Sequence, residues 1–253
     1  MPPSPSLAAL RSQVRAIEGR AAGARPVLPF GLDALDRRLA DGGLAAAALH
    51  EAAPAGPALG DEAAATLFLA AIAARLAAAR GEGTTVLWAL ARRDLFAPGL
   101  AQAGLGPERL ICAECRRDEE VLAVIEEGLR HGGLAAVVGE TGALRAAAAR
   151  RLQLAAEEKG TAALLLRRWR RAGADPLASP SPAVTRWRIG AAPSAPLAVP
   201  GVGRARWRVE LVRQRGGGPC EWILEAPDAE ARLALPARSA DRPDRTAGER
   251  EAA

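Results

Sequence analysis

Apolar residues along this chain recur in three rhythms, and each predicts a different kind of element. Near the start, Leu7, Leu10, Val14 and Ile17 fall three and four residues apart, which predicts an amphipathic helix over residues 6–20. A linker over 21–29 and a short helix over 31–39 follow, the helix ended by Asp41, Gly42 and Gly43. Residues 44–51, 84–90, 108–114, 134–140 and 161–169 are short apolar runs that predict strands. Between them lie helical stretches at 62–79, 97–103, 118–131 and 144–159. In the third of these, Val121, Leu122, Val124, Ile125 and Leu129 share one side. Strands alternating with helices imply an α/β fold, a mostly parallel sheet flanked by helices on both faces.

The rhythm then shortens to two in AVTRWRI, RARWRVELVRQR and PCEWILE. Trp187 and Ile189 oppose Arg186 and Arg188, while Ala205, Trp207, Val209 and Leu211 oppose Arg206, Arg208 and Glu210. Residues 214–219 read as a hairpin loop, and Trp222 with Leu224 continues the apolar face. The expectation is an antiparallel edge extension near the C-terminus. From Pro227 the periodicity stops and the charges are mixed, as in a disordered tail. The expected organisation is an N-terminal helix and linker over 1–25, a core over 26–226 and a tail over 227–253.

Composition bounds the function. A chain of 253 residues that is 49% hydrophobic can bury a large core. No apolar run of about eighteen residues is free of charge, so no membrane span is expected. The start of the chain lacks the apolar region of a signal peptide, which makes the cytoplasm the default. The net charge of +5 is carried by arginine, and Lys159 is the only lysine. Residues 160–226 hold eleven arginines against Asp175, Glu210, Glu221 and Glu225, which leaves the rest of the chain near −2. A basic second half implies an anionic partner on one side. Cys112 and Cys115 form a lone pair with no second pair to complete a zinc set, so no metal is expected. Three thiols without evident pairing suit a reducing compartment.

Two stretches carry candidate chemistry. LHEAAPAGPALGDEAAATLFL, residues 49–69, has the outline of a phosphate-binding loop: strand, Pro/Gly turn, Ala-rich helix. A working loop needs Lys and then Ser or Thr at the helix start, where this chain has Ala58, Leu59, Gly60, Asp61 and Glu62. The second stretch is Arg167, Arg168, Trp169, Arg170 and Arg171. With Arg186, Arg188, Arg206 and Arg208 it forms a candidate DNA- or partner-binding surface, because arginine pairs with phosphates and Trp169 offers a stacking platform. Trp187 and Trp207 sit on the apolar face and are assigned to the core. Asp33 and Asp36 are helix-start carboxylates. His50 beside Glu51 lacks a nearby nucleophile, so it reads as a satisfied strand-end histidine.

The order of these pieces resembles the core of the RecA recombinases. GLDALDRRLADGGLAAAALHEAAPAG is similar to the entry of that core, LAAVVGE to its Walker B strand and LLLRRWRR to the following strand. The details resemble ImuA more closely, a degenerate RecA-like family of accessory proteins of bacterial SOS mutagenesis. LPFGLDALD, GGLAAAALHEAA, RRDLFAPGLAQAGL, RRLQLAAEEKG, AVTRWRI and GRARWRVEL carry this resemblance across residues 26–225. It implies a degenerate RecA-like core in which the catalytic glutamate position falls near Arg92 and Arg93. The Walker B aspartate falls at Gly139, beside Glu140. It therefore implies no catalysis and no cofactor. As partners it implies an ImuB-like Y-family polymerase relative, indirectly an error-prone replicative-type DNA polymerase, and weak single-stranded DNA. Two other classes stay open: a single-stranded DNA-binding RecA-like recombination mediator, and a divergent nucleotide-dependent switch.

Overall fold

The computed structural model describes residues 26–142, 144–171, 173–194, 197 and 201–236. The expected helix over 6–20 lies outside the described residues. In chain order the elements are β1 (Val27–Leu28), α1 (Asp33–Asp36), β2 (Leu44–Ala45), β3 (Leu49–Pro54), α2 (Leu59–Arg80), β4 (Val86–Leu90), α3 (Ala97–Gln102), β5 (Leu110–Glu114), α4 (Asp118–His131), β6 (Ala136–Thr141), α5 (Ala146–Lys159), β7 (Ala162–Arg167), β8 (Thr185–Ala192), β9 (Arg206–Gln214) and β10 (Cys220–Glu225). Eight strands form one sheet in the order β10-β9-β8-β3-β7-β6-β4-β5, and β1 and β2 form a separate antiparallel pair. Strands β8, β3, β7, β6, β4 and β5 run parallel, while β9 and β10 return antiparallel, as the shortened rhythm predicts.

The central strands are apolar on both sides because both faces are covered. On one face Phe68, Leu69 and Ile72 of α2 pack against Trp88, Val138, Leu164, Leu166 and Trp187. On the other, Val121, Ile125 and Leu129 of α4 and Leu152 of α5 pack against Leu49, Val137 and Leu165. Trp187 and Trp207 are in the core, 0% and 3% exposed. Trp187 lies in an aromatic chain with Phe30, Phe68 and Trp222, its ring centroids 5.9, 5.5 and 6.4 Å from theirs. Helix α2 is long and apolar enough by length and composition to cross a membrane, and 67% of that apolar window is buried inside the fold.

Gly139 explains how closely α4 approaches the sheet. A Cβ placed there would lie 2.6 Å from Ile125 Cγ1 and closer still to Cδ1. Gly139→Ala is therefore expected to destabilise the fold by about 1–3 kcal/mol through overpacking. Adding Ile125→Val, which removes the nearest atom, should recover part of the loss in urea unfolding. Strict additivity of the two changes would refute the steric account.

Three expectations need correction. The run at 44–51 is two strands, β2 and β3, and β3 continues to Pro54. The run at 108–114 is strand only from Leu110, as β5, an edge strand with Ile111 and Cys112 exposed. The segment expected to be a tail is folded over residues 227–236. The Glu225 N–H donates to Ala234 O at 2.8 Å, and Ala231 and Leu233 are buried. Gly104 makes room for Ala231, whose Cβ would lie 2.7 Å from a Cβ at that glycine.

Candidate functional site

Side-chain parity at the strand ends decides what meets what. Leu164 and Leu166 of β7 face α2, whereas Ala163 and Leu165 face α4 and α5. Arg167 therefore points to the α4/α5 face and Arg168 to the α2 face. The Arg168 N–H still bonds Thr141 O at 3.0 Å, so pairing with β6 continues past the end of β7.

Arg168 lies between the first turn of α2 and the end of β6. Its guanidinium donates through Nε and Nη2 to Glu140 Oε2 at 2.9 and 2.7 Å, through Nη1 to Glu62, and through Nη2 to Asp94 Oδ1 at 3.4 Å. Trp88 Nε1 donates to the other oxygen of Glu140 at 2.8 Å. Burial pushes the Glu140 carboxyl above the usual carboxylate range, and the Arg168 charge offsets only part of that. Burial also opposes the charge on Arg168, but Glu140 and Glu62 outweigh it and keep the guanidinium protonated.

The loop itself is tied to the sheet. Helix α2 begins after Ala58 with no side-chain cap, and Asp61 and Glu62 lie in its first turn. Asp61 accepts the Ala191 N–H of β8 at 2.7 Å, and Glu62 is committed to Arg168. Gly139, where the resemblance puts the Walker B aspartate, faces α4 rather than this site. The next residue, Glu140, is the one that faces it. Arg92 and Arg93, at the expected catalytic glutamate position, pair with Asp94 at 2.8 Å and Glu114 at 2.5 Å. A hollow of about 190 Å³ remains, bordered by Arg92, Glu140, Arg168 and Trp169.

A second ionic cluster lies on the opposite face. Glu51, fully buried, accepts from Ser181 Oγ at 2.5 Å, Arg186 Nε at 3.0 Å and Arg167 Nη1 at 3.3 Å. Two buried guanidiniums thus share one carboxylate, and Arg167 Nε and Arg186 Nη2 have no partner among the described residues. Burial lowers the pKa of Arg167, Glu51 opposes that, and the like charge of Arg186 adds to it.

His50 is the satisfied strand histidine that its setting predicts. Its Nε2–H donates to Ala45 O at 2.8 Å, and Nδ1 accepts from Thr185 Oγ1 at 2.8 Å. Thr185 Oγ1 in turn accepts the Trp187 indole N–H at 2.7 Å. Burial lowers the His50 pKa to about 4.

The candidate surface arginines are thus largely committed. Arg167, Arg168 and Arg186 are buried and ion-paired, which removes them from the surface where the sequence placed them. Trp169 is half-buried, and its Nε1 donates to Pro54 O at 3.0 Å. Arg170 bonds Asp118, which also accepts from Thr141 Oγ1 at 2.7 Å and the Gly142 N–H at 2.9 Å. Arg188 bonds Asp175 at 2.7 Å and Glu210 at 3.3 Å. Arg206 and Arg208 face Glu225 and Glu221 of β10 at 3.5 and 3.6 Å, away from the others. Arg171 is exposed and has no ion pair among the described residues. The structure brings Arg167, Arg168, Arg170 and Arg171 to one cleft of about 400 Å³, together with Arg145, which the sequence did not single out. Glu62, Trp88, Asp94 and Ser181 were also missed. Period-two parity counted from Val138 turns Glu140 toward this site, whereas nothing local marks Glu62, Trp88, Asp94 or Ser181.

The mostly parallel sheet in this order, with a Pro/Gly turn leading from β3 into α2, is a RecA-like fold. A crystal structure of the RadB recombinase is similar over 83% of this chain and 100% of its own, with a TM-score of 0.55 at 18% identity, a likeness of fold. No protein-family model matches the chain. Two curated relatives named Protein ImuA, from two strains of Caulobacter vibrioides, are 43% identical over 211 residues, covering 81% of this chain and 85% of theirs. The chain belongs to the ImuA family.

Proposed function

We propose that this chain is a non-enzymatic scaffold of SOS-induced, error-prone translesion DNA synthesis. It binds an ImuB-like relative of the Y-family polymerases in the cytoplasm and, through it, joins an error-prone replicative-type polymerase. Membership of the ImuA family on a RecA-like fold supports the accessory role in SOS mutagenesis. The observation that carries the non-enzymatic part is the Arg168 cluster. Phosphoryl transfer needs a cation on the phosphates and a carboxylate on the metal. Here the helix start presents Asp61 and Glu62, and the site-facing carboxylate Glu140 is bonded to Arg168 and Trp88. The remaining hollow of about 190 Å³ is also below the ~300 Å³ of ordinary ligand pockets.

The test is co-purification with an ImuB-like protein, with single-stranded DNA binding at two salt concentrations and thermal unfolding with ATP and magnesium. The expected result is a stable complex, little DNA affinity alone and no shift from nucleotide. A ligand at a hundred times its Kd would stabilise the fold by about 2.7 kcal/mol, so a clear nucleotide shift would establish the switch reading instead. Tight, salt-sensitive DNA binding without a partner would establish the recombination mediator.

A further inference from the structure

The cleft beside the second ionic cluster is built differently from the Arg168 site. It lies between the turn after β6 and the segment after β7, with Arg145 and Arg171 at its mouth and Leu144, Ala174 and Pro176 along its wall. Arg145 immediately precedes α5. That helix starts with no side-chain cap and no acidic residue in its first turn, so its leading N–H groups and partial positive charge go uncompensated there. Asp175 is the one carboxylate in the lining, and Arg188 neutralises it at 2.7 Å.

The second observation is independent. Arg167, which lines the same cleft, is 96% buried, and its Nε has no partner among the described residues. With Arg186 it shares the single carboxylate of Glu51, so among the described residues the two guanidiniums have one ion-pair partner between them, with Asp118 acting on Arg167 through its charge alone. A buried donor left unmet costs about 1–3 kcal/mol, and surplus buried charge costs more. A cleft that keeps both is shaped to receive negative charge.

We propose that this cleft is a docking site for an acidic peptide segment of a partner protein, a carboxylate seated between Arg145, Arg171 and the start of α5 while an adjoining apolar side chain lies on Leu144 and Pro176. The apolar wall favours a peptide. So does the small number of free cations: Arg168 and Arg170 are held by Glu140 and Asp118, which leaves two exposed guanidiniums where a nucleic-acid strand would need a row of them. This site deepens the scaffold reading and rests on it for the identity of the partner.

The experiment uses the full-length protein and a fluorescein-labelled peptide, acetyl-Leu-Glu-Glu-Leu-Glu-Glu-Leu, followed by anisotropy at low ionic strength. Saturable binding is expected. It should weaken by about tenfold or more in Arg145→Glu with Arg171→Glu, where like charges replace opposite ones. Arg37→Glu, just after α1, should bind as the wild type does. Both positions in the double variant are exposed, and thermal melts confirm that it folds. The proposal is overturned if the peptide does not bind, if its Gln-for-Glu counterpart binds equally well, or if the double variant binds unchanged. An oligothymidylate that displaces the peptide and shows the same variant sensitivity also overturns it, in favour of a nucleic-acid site. Capture of the ImuB-like protein is scored separately. Its failure with the wild-type chain removes the scaffold reading and leaves the peptide result to decide the cleft.

Discussion

Arg168→Ala is expected to destabilise the fold by about 3–5 kcal/mol at neutral pH, the usual cost of removing one member of a buried charge cluster. Glu140 would lose both of its charge-assisted bonds and keep only the Trp88 indole, Glu62 would face it without a cation, and Asp94 would keep only Arg92. The loss should depend on pH in a defined direction. Burial already raises the Glu140 carboxyl above its ordinary value, and removing Arg168 raises it further. A carboxyl whose folded pKa exceeds its unfolded one contributes stability below the unfolded value and loses it as pH rises through the folded value. The variant should therefore lag the wild type by more at about pH 8 than at about pH 5.5 in urea unfolding. Arg168→Met, which keeps the packing and removes the charge, should show the same pH signature. Equal losses at both pH values would mean that the cluster acts through packing alone.

His50 predicts the opposite behaviour in acid. Its pKa falls from an ordinary 6.5 to about 4 in the folded chain, so the unfolded chain takes up a proton first. Stability should fall as pH drops from about 6.5 to about 4, by a total of roughly 3 kcal/mol for this residue. The cause is burial, which disfavours the charged ring, and the bond from Nε2–H to the Ala45 carbonyl offsets only part of it. His50→Gln should flatten this limb, seen as the difference between the two stability-versus-pH curves. Parallel curves would rule out His50 as the origin. Any relief of Glu140 on acidification has the opposite sign and is common to both chains, so it cancels in the difference.

Much of the fold is legible in the sequence because its elements are locally marked. The central strands are unbroken apolar runs, α4 has a clear apolar stripe and acidic start, and residues 185–189 of β8 and 206–211 of β9 alternate. The strand order is not legible, because pairings such as β3 with both β7 and β8 join residues more than a hundred positions apart. The arginines show the same limit. Alternation correctly places Arg186 opposite Trp187, but it cannot say that both faces are covered there, since β8 lies inside the sheet between β3 and β9. Charge composition suggested a solvated basic surface, whereas Glu51, Glu62 and Glu140, each distant in sequence, draw three of those arginines inward. The packed segment after β10 was missed because Ala231 and Leu233 are too few to make a period.

The paired ends of β7 also act during folding. An apolar run such as AALLL buries almost equally well in neighbouring alignments, so hydrophobicity alone would let it slide against β3 and β6. Two consecutive arginines whose partners lie on opposite faces forbid that. A slip of one residue would turn both arginines to the wrong faces: in one direction Arg167 takes the place of Arg168 and Glu51 loses a cation, and in the other Arg168 takes the place of Arg167 and Glu140 and Glu62 lose theirs. Only one alignment satisfies both charges. What looks in sequence like a basic binding motif is, at its first two positions, the key that sets the strand in place.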